Sequence, residues 1–272
     1  MAKTADAIII GGGLVGAAVA YGLARDRLKA VMLDEGDVAY RASRGNFALI
    51  WTQSKGAGLP EYQRWSRLSS DEWVNFAAEL LSETGVDCGH RRNGGVHLCL
   101  SSDELETRRK LVLQIRAEAA AGRYQCEMLT RGEILKLLPA LGPDVVGGAF
   151  CPHDGHVNPL YALRALHQAF IARGGSYFAD SRVAAIDAAP NCFTVHTKTA
   201  SITAPKIVLA AGLGNKDLGA MVGLNVPVYP LRGQIIVTER VKPVLEFATT
   251  QIRQTAEGSL LIGESREDAG FD

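Results

Sequence analysis

The sequence lacks a block of basic residues and an excess of either charge. Its 272 residues include 29 of lysine plus arginine and 29 of aspartate plus glutamate, so the formal net charge is zero. Nucleic-acid and anionic-membrane partners require clustered positive charge. The densest basic cluster, TRRKLVLQIR, has the composition of a solvated helix face. We therefore expect no nucleic-acid partner.

Cysteine is scarce, odd in number and without any C-x-x-C pair. The five cysteines are Cys88, Cys99, Cys126, Cys151 and Cys192. This pattern fits reduced thiols in a cytoplasmic protein better than a disulfide framework, and it is not that of an iron–sulfur cluster. The sequence also contains no G-x-S-x-G, no H-E-x-x-H and no P-loop.

One uncharged run, AIIIGGGLVGAAVAYGLA (7–24), is long enough to raise the question of a membrane anchor or an export signal. Its three consecutive glycines make a poor helix interior, because each one loses extra backbone entropy on folding. The flanks contain neither the basic region nor the cleavage site of a signal peptide. We therefore predict no integral membrane segment, and instead a strand, a glycine turn and a helix.

That interpretation matches a dinucleotide-binding fingerprint. Gly11, Gly13 and Gly16 have the G-x-G-x-x-G spacing between a strand and a helix, and Asp34 ends the next strand. The glycines allow a sharp turn, close approach of a pyrophosphate and close helix–strand packing, while Asp34 can accept hydrogen bonds from ribose. The N–H groups that open the helix face the phosphate charge, and the first helical residues are Leu14 and Val15. The alternative is a glycine-rich turn in an ordinary βαβ unit.

The order of patterns along the chain predicts two interleaved domains. We expect a discontinuous nucleotide-binding domain over 1–88 and 152–226, and a second domain over 89–151 and 227–272. The predicted fold class is α/β, with a Rossmann-like first domain and an α+β second domain built on a mainly antiparallel sheet. Within the second domain, strands are predicted at 234–238, 249–253 and 259–263.

Three further motifs each have a plain structural alternative. KIVLAAGLG places Ala210, Ala211 and Gly212 after an apolar strand, either as a tight turn or as a second nucleotide contact. RASRGN is either a surface loop or a set of donors for the cofactor. CPHDGH contains metal-ligand residue types, but its Asp-Gly turn and the helix cap that follows favour a structural turn.

Arg253 lies in a predicted apolar strand of the second domain. Its guanidinium could bind a substrate carboxylate in bidentate geometry, or it could face water at a sheet edge. These two alternatives stay open from the sequence.

Six features of the sequence together carry a resemblance to a known family: the fingerprint with Asp34, RASRGN, HDGHVNP, VLAAGLG, PLRGQ and GESREDAGFD. They resemble the FAD-dependent D-amino acid oxidase family, which includes glycine and sarcosine oxidases. The segments LDEGDVAYRASRGNFALIW and IRQTAEGSLLIGESRE are most similar to the FAD subunits of hydrogen cyanide synthase, opine oxidase and D-hydroxyproline dehydrogenase.

The resemblance implies noncovalently bound FAD and oxidation of a C–N bond beside a carboxylate, by hydride transfer to flavin N5. It implies an amino acid substrate, companion subunits that pass electrons onward, and a cytoplasmic location or attachment to the inner membrane through partners. Beyond the fingerprint and the small residues 210–212, the implied cofactor contacts are Glu35, Arg41, Ala42, Ser43, Asn46 and Val183.

Members of this family extend beyond the point that matches residue 272. We therefore expect a chain whose C-terminal part is missing, with exposed apolar surface and reduced stability or activity. Two other functions stay open: an NAD-dependent dehydrogenase, and a noncatalytic nucleotide-binding fragment or subunit. The first would be favoured by bound NAD without flavin, and the second by flavin that no substrate bleaches.

Overall fold

The computed structural model of the chain describes residues 3–36, 42–119, 124–263, 265–268 and 270. The helices in these ranges are α1 (Leu14–Arg25), α2 (Pro60–Thr84), α3 (Ser102–Glu118), α4 (Arg131–Leu137), α5 (Pro159–Ala172) and α6 (Asn215–Met221). Within these ranges, no helix has both the length and the apolar composition needed to cross a membrane.

The strands alternate with the helices in the first third of the chain and cluster after residue 175. They are β1 (Lys3–Thr4), β2 (Ala7–Ile10), β3 (Ala30–Leu33), β4 (Leu49–Ile50), β5 (Gly95–Cys99), β6 (Glu127–Thr130), β7 (Gly147–Cys151), β8 (Gly155–His156), β9 (Ser176–Phe178), β10 (Val183–Ala189), β11 (Cys192–Thr197), β12 (Ser201–Ala204), β13 (Ile207–Leu209), β14 (Ile235–Arg240), β15 (Ala248–Thr249), β16 (Ile252–Gln254) and β17 (Ser259–Gly263).

A parallel four-stranded sheet, in the order β13-β2-β3-β9, carries the glycine-rich turn. Every residue of β2 and β3 is buried, because layers cover both faces of the sheet. Alternate residues point to opposite faces: Ile9 and Met32 pack against α1 and α5, while Ile8, Ile10 and Val31 pack against β10–β12. The second strand and the helix predicted from the sequence are confirmed.

A second sheet, in the order β15-β5-β7-β6, lies in the part of the chain predicted to form another domain. Its β5–β7 and β7–β6 pairs are antiparallel. Helix α3 packs Val112 and Ile115 against one face, and α4 contributes Ile134 to the cluster on the other. A three-stranded antiparallel sheet, β14-β17-β16, follows in the C-terminal region.

Capping residues mark the ends of several helices. Asn158 accepts hydrogen bonds from the first N–H groups of α5, and Ser101 accepts one from the first turn of α3. Gly85 ends α2 with a left-handed φ of 69°. These ends follow from local chemistry, which is why the sequence predicts them.

Two regions differ from the sequence prediction. The strand predicted over 249–253 is divided into β15 and β16, because the Thr249 hydroxyl accepts the N–H groups of Gln251 and Ile252 and turns the chain between them. The segment after Asn46 contains β4, which the sequence analysis did not predict, and after that strand Thr52 and Gln53 are buried.

Candidate functional site

The glycine-rich turn brings together two segments that lie about 200 residues apart in sequence. Gly11 adopts φ 110°, and its N–H donates to the Leu33 carbonyl at 2.8 Å. A Cβ on Gly11 would overlap the Ala210 carbonyl and lie 2.8 Å from Cα of Ala211. Because Ala210 N–H bonds to the Ile10 carbonyl at 2.8 Å, the turn lies directly beside residues 210–211.

The N-terminus of α1 faces Ser43. The Ser43 hydroxyl accepts the Leu14 N–H at 2.9 Å, and a Cβ on Gly13 would lie 2.8 Å from the same oxygen. Gly13 therefore borders the space at the N-terminus of α1. The first N–H groups of the helix and the positive end of its dipole are directed towards this space. Val15, one residue further along, has 69% of its surface exposed on the same first turn.

Gly16 serves close packing between helix and turn. A Cβ at this position would overlap the main-chain oxygen of Gly11 and lie 3.0 Å from its carbonyl carbon. The space is therefore closed to any side chain, in agreement with the predicted function of this glycine.

Asp34 lies at the end of β3, next to the glycine turn. Its carboxylate accepts the Gly12 N–H at 2.6 Å and the Gly36 N–H at 2.9 Å. Beside it, Glu35 approaches Arg182 at 3.7 Å. Val183 begins β10 and packs into the apolar cluster formed with β11 and β12.

We call the turn 11–13, the first turn of α1, Asp34, Ser43 and residues 210–212 the cradle. The other predicted cofactor residues belong to these segments or adjoin them in sequence. Ala211 donates its N–H to the Asn215 side chain at 2.8 Å, and Gly212 has a φ of 58°. Ala42 is exposed and precedes Ser43. Arg41 lies outside the described residues.

The segment after Ser43 leaves the cradle through a strained turn. The Asn46 side chain accepts the Ala48 N–H at 2.5 Å, and Ala48 adopts a φ of 66°, which is uncommon for a residue with a side chain. Such strain concentrates at functional sites. The next residues form β4, which pairs antiparallel with β8 in a register that places Leu49 opposite His156.

Arg253 is buried against this segment, with 3% of its surface exposed. Its Nε donates to the Phe47 carbonyl at 2.5 Å, and its guanidinium carbon lies 5.8 Å from the Phe47 ring centroid. Within the described ranges, no hydrogen bond engages its terminal nitrogens Nη1 and Nη2. Burial lowers the pKa of Arg253 to about 10, so it is a cation at neutral pH. The alternative of an arginine facing water at a sheet edge is wrong.

A buried polar network that the sequence analysis did not predict supports the same segment. Asp154 accepts the Thr52 N–H at 2.6 Å, the Thr52 hydroxyl at 2.7 Å and the Gln53 amide at 2.8 Å. Gln53 in turn accepts a hydrogen bond from the buried Arg108, and Tyr124 donates to the Gln53 carbonyl at 2.7 Å. The HDGH turn is the part of this network that the sequence indicates. The residues that bond to Asp154 lie about 100 positions away in the sequence and are not indicated by it.

The four potential metal ligands of CPHDGH do not converge. Cys151 contacts the Thr52 hydroxyl at 3.4 Å, His153 lies 2.7 Å from the Gln125 amide oxygen, and Asp154 belongs to the buried network. In the part of the chain that the structure describes, no group of three histidine, cysteine or acidic residues could hold a metal ion.

Comparison with known proteins identifies similar chains. The family model described as "FAD dependent oxidoreductase" matches residues 6–272. An opine oxidase subunit of Agrobacterium tumefaciens is 42% identical over 262 residues, covering 96% of this chain and 71% of that protein. The corresponding opine oxidase subunit of Rhizobium meliloti is 40% identical over the same shares.

A solved structure shares the fold. The crystal structure of glycine oxidase from Geobacillus kaustophilus superposes with a TM-score of 0.91 at 26% identity. The superposition covers 99% of this chain and 73% of that one.

Proposed function

Because the chain belongs to the family of FAD-dependent oxidoreductases, we propose that it oxidises the C–N bond of D-amino acids or of N-substituted amino acids of opine, sarcosine or hydroxyproline type. FAD is the cofactor of this family, and when bound it supplies the redox chemistry by accepting a hydride at N5. The similarity to the two opine oxidase subunits supports the opine-type substrate.

The cradle at the start of α1 fits a dinucleotide. A side chain at Gly13 would fill space beside the helix N-terminus, and the Leu14 N–H and the Ser43 hydroxyl converge there. In our proposal these groups hold the pyrophosphate, Asp34 receives the ribose hydroxyls, and Ala210 allows close approach of the cofactor.

The substrate carboxylate binds to Arg253 in this proposal. The observation that supports it is a buried arginine whose terminal nitrogens have no hydrogen bond to the described residues. The Phe47 carbonyl fixes Nε and leaves the outer edge of the guanidinium for a carboxylate, which matches its geometry with two parallel hydrogen bonds. The arginine thereby sets the position of the adjacent carbon and its amine.

The division into domains follows from the same function. We propose that 1–88 and 152–226 bind FAD and that 89–151 and 227–272 bind substrate. The parallel sheet with the cradle supports the first assignment, and Arg253 on β16 supports the second. We further propose a cytoplasmic enzyme that passes electrons to companion subunits, because the similar opine oxidase chains are named as subunits.

A visible absorbance spectrum tests the proposed function. The purified, desalted chain should show bound flavin, and anaerobic addition of D-amino acids and opines should bleach it with at least one of them. Bound NAD without flavin would overturn the proposal. Flavin that none of the substrates bleaches would contradict the catalytic part and favour a noncatalytic role within an assembly.

Arg253→Met should weaken binding of a carboxylate ligand about tenfold to one-hundredfold. Hydrogen bonds to charged groups contribute about 1.5–3 kcal/mol, and each 1.4 kcal/mol is tenfold in affinity. Arg253→Lys keeps the charge but loses the planar fork, so we expect an intermediate affinity. Equilibrium titration with acetate measures the effect.

Arg232→Met is the matched control for this prediction. Arg232 pairs with the exposed Glu267 in the C-terminal region, so its loss should leave acetate affinity unchanged. Thermal melting of each variant shows whether the fold is intact. Acetate affinity equal to that of the wild type in a folded Arg253→Met variant would contradict the assignment.

A further inference from the structure

Neighbouring segments fix the main chain of His156 on both sides. It pairs with Leu49 in the β4–β8 ladder, and its N–H and carbonyl both bond to Arg91 at 2.9 Å. The ladder continues at the next residue, where Val157 donates its N–H to the Ala48 carbonyl at 3.1 Å. His156 therefore has a fixed position opposite the strained turn that leaves the cofactor cradle.

The same turn fixes Arg253 through its main chain. Phe47 precedes Ala48, and its carbonyl accepts the Arg253 Nε–H at 2.5 Å. Two residues after Phe47, Leu49 lies opposite His156. Arg253 and His156 are thus both held against one short segment, residues 47–49.

The His156 imidazole is neutral and has no hydrogen bond to the described residues. Burial lowers its pKa to about 4, and Arg253, Arg91 and His90 act in the same direction. Within the described ranges, no carboxylate contributes to this shift. By contrast, His196 bonds to the Asp187 carboxylate at 2.8 Å. A neutral imidazole offers one acceptor nitrogen and one N–H donor.

We propose that His156 is a substrate-binding residue that accepts a hydrogen bond from the amine N–H of an amino acid whose carboxylate is held by Arg253. The inference rests on the proposed function, because it requires the carboxylate at Arg253. In an α-amino acid the amine lies on the carbon next to the carboxylate. A carboxylate on the outer edge of Arg253 therefore brings the amine close to the neighbouring imidazole.

A neutral amine keeps its N–H groups as donors and its lone pair for the oxidation. In this arrangement the acceptor nitrogen of the imidazole fixes the direction of one amine N–H.

The first experiment uses no turnover. The ¹⁵N imidazole resonances of the full chain, labelled at histidine, are followed against pH with and without acetate. Acetate provides the carboxylate without an amine, so its charge at Arg253 should raise the pKa of His156 by about one unit. In Arg253→Met, acetate should produce no such change.

The second experiment separates the hydrogen bond from the packing. We expect His156→Leu to lower kcat/KM about tenfold and to leave acetate affinity within twofold of the wild type, because the acceptor touches only the amine. His156→Gln supplies an amide oxygen in its place and should restore most of the lost kcat/KM. His196→Gln, on β11 and in contact with the Asp187 carboxylate, is the control.

The outcomes distinguish this inference from the function on which it rests. Loss of acetate binding in Arg253→Met, together with the defect of His156→Leu and its rescue by glutamine, supports both. Acetate binding that depends on Arg253 but unchanged kcat/KM in folded His156→Leu overturns only the inference about His156. Acetate binding that does not depend on Arg253 overturns the proposed carboxylate site.

Discussion

Gly16→Ala is expected to lower the free energy of unfolding by about 3 kcal/mol or more. The added Cβ would overlap the main-chain oxygen of Gly11, which belongs to the turn and cannot rotate away. Overpacking usually costs about 1–3 kcal/mol, and more where the neighbour is fixed. Urea denaturation followed by circular dichroism measures the change.

Gly22→Ala is the matched control, because Gly22 lies in the same helix and a Cβ there meets nothing within 4 Å. We expect it to stabilise the chain by about 0.4–1 kcal/mol, since it reduces the entropy of the unfolded state. Equal stability of the Gly16→Ala and Gly22→Ala variants would show that the helix and the turn are not packed as described.

Gly13→Ala should separate cofactor binding from folding. Its Cβ would meet only the Ser43 side chain, and displacing that hydroxyl would release the Leu14 N–H, so we expect the free energy of unfolding to fall by only about 1 kcal/mol. The methyl group would nevertheless occupy the space proposed for the pyrophosphate. A folded Gly13→Ala variant that retains flavin as tightly as the wild type would contradict that location.

Asp154→Ala is expected to destabilise the chain by about 3 kcal/mol or more, because each buried donor left without a partner costs about 1–3 kcal/mol. It would leave the Thr52 N–H, the Thr52 hydroxyl and the Gln53 amide without their acceptor. Burial raises the pKa of Asp154, although the hydrogen bonds from Thr52 and Gln53 act against this shift. Chemical denaturation at neutral pH measures the loss.

Asp187→Ala is the control for this second prediction. Its side chain is 75% exposed and contacts His196 at the surface, so its removal should change stability by less than about 0.5 kcal/mol. A loss below about 1 kcal/mol in Asp154→Ala would mean that the network around Gln53 does not stabilise the segment after β4.

The sequence predicts the cradle well because its chemistry is local. Gly11, Gly13, Gly16 and Asp34 lie within 24 residues, and each residue type is required by the turn, the helix start or the strand end. The helix caps are predictable for the same reason. Ser43, Ala210 and Ala211 could be added only through the resemblance, since nothing in their own segments shows that the chain returns to the turn.

The substrate side of the site depends on contacts between distant residues. Arg253 contacts Phe47 across 206 positions, and Gln53 contacts Asp154 across 101. Neither strand periodicity nor turn composition indicates such pairs, so the sequence left the burial of Arg253 open and did not indicate that Gln53 is buried. His156 was seen only as part of a turn, because its strand has two residues.

The parallel sheet also has a consequence for the chain during its synthesis, because two neighbouring strands are made far apart in time. Strand β2 ends at Ile10, yet its neighbour β13 ends at Leu209. At synthesis rates of about 5–20 residues per second, the first strand waits about 10–40 s for that neighbour. Until then, one edge of an entirely apolar strand is unpaired in the nascent chain, which makes this period the one in which a chaperone would matter most.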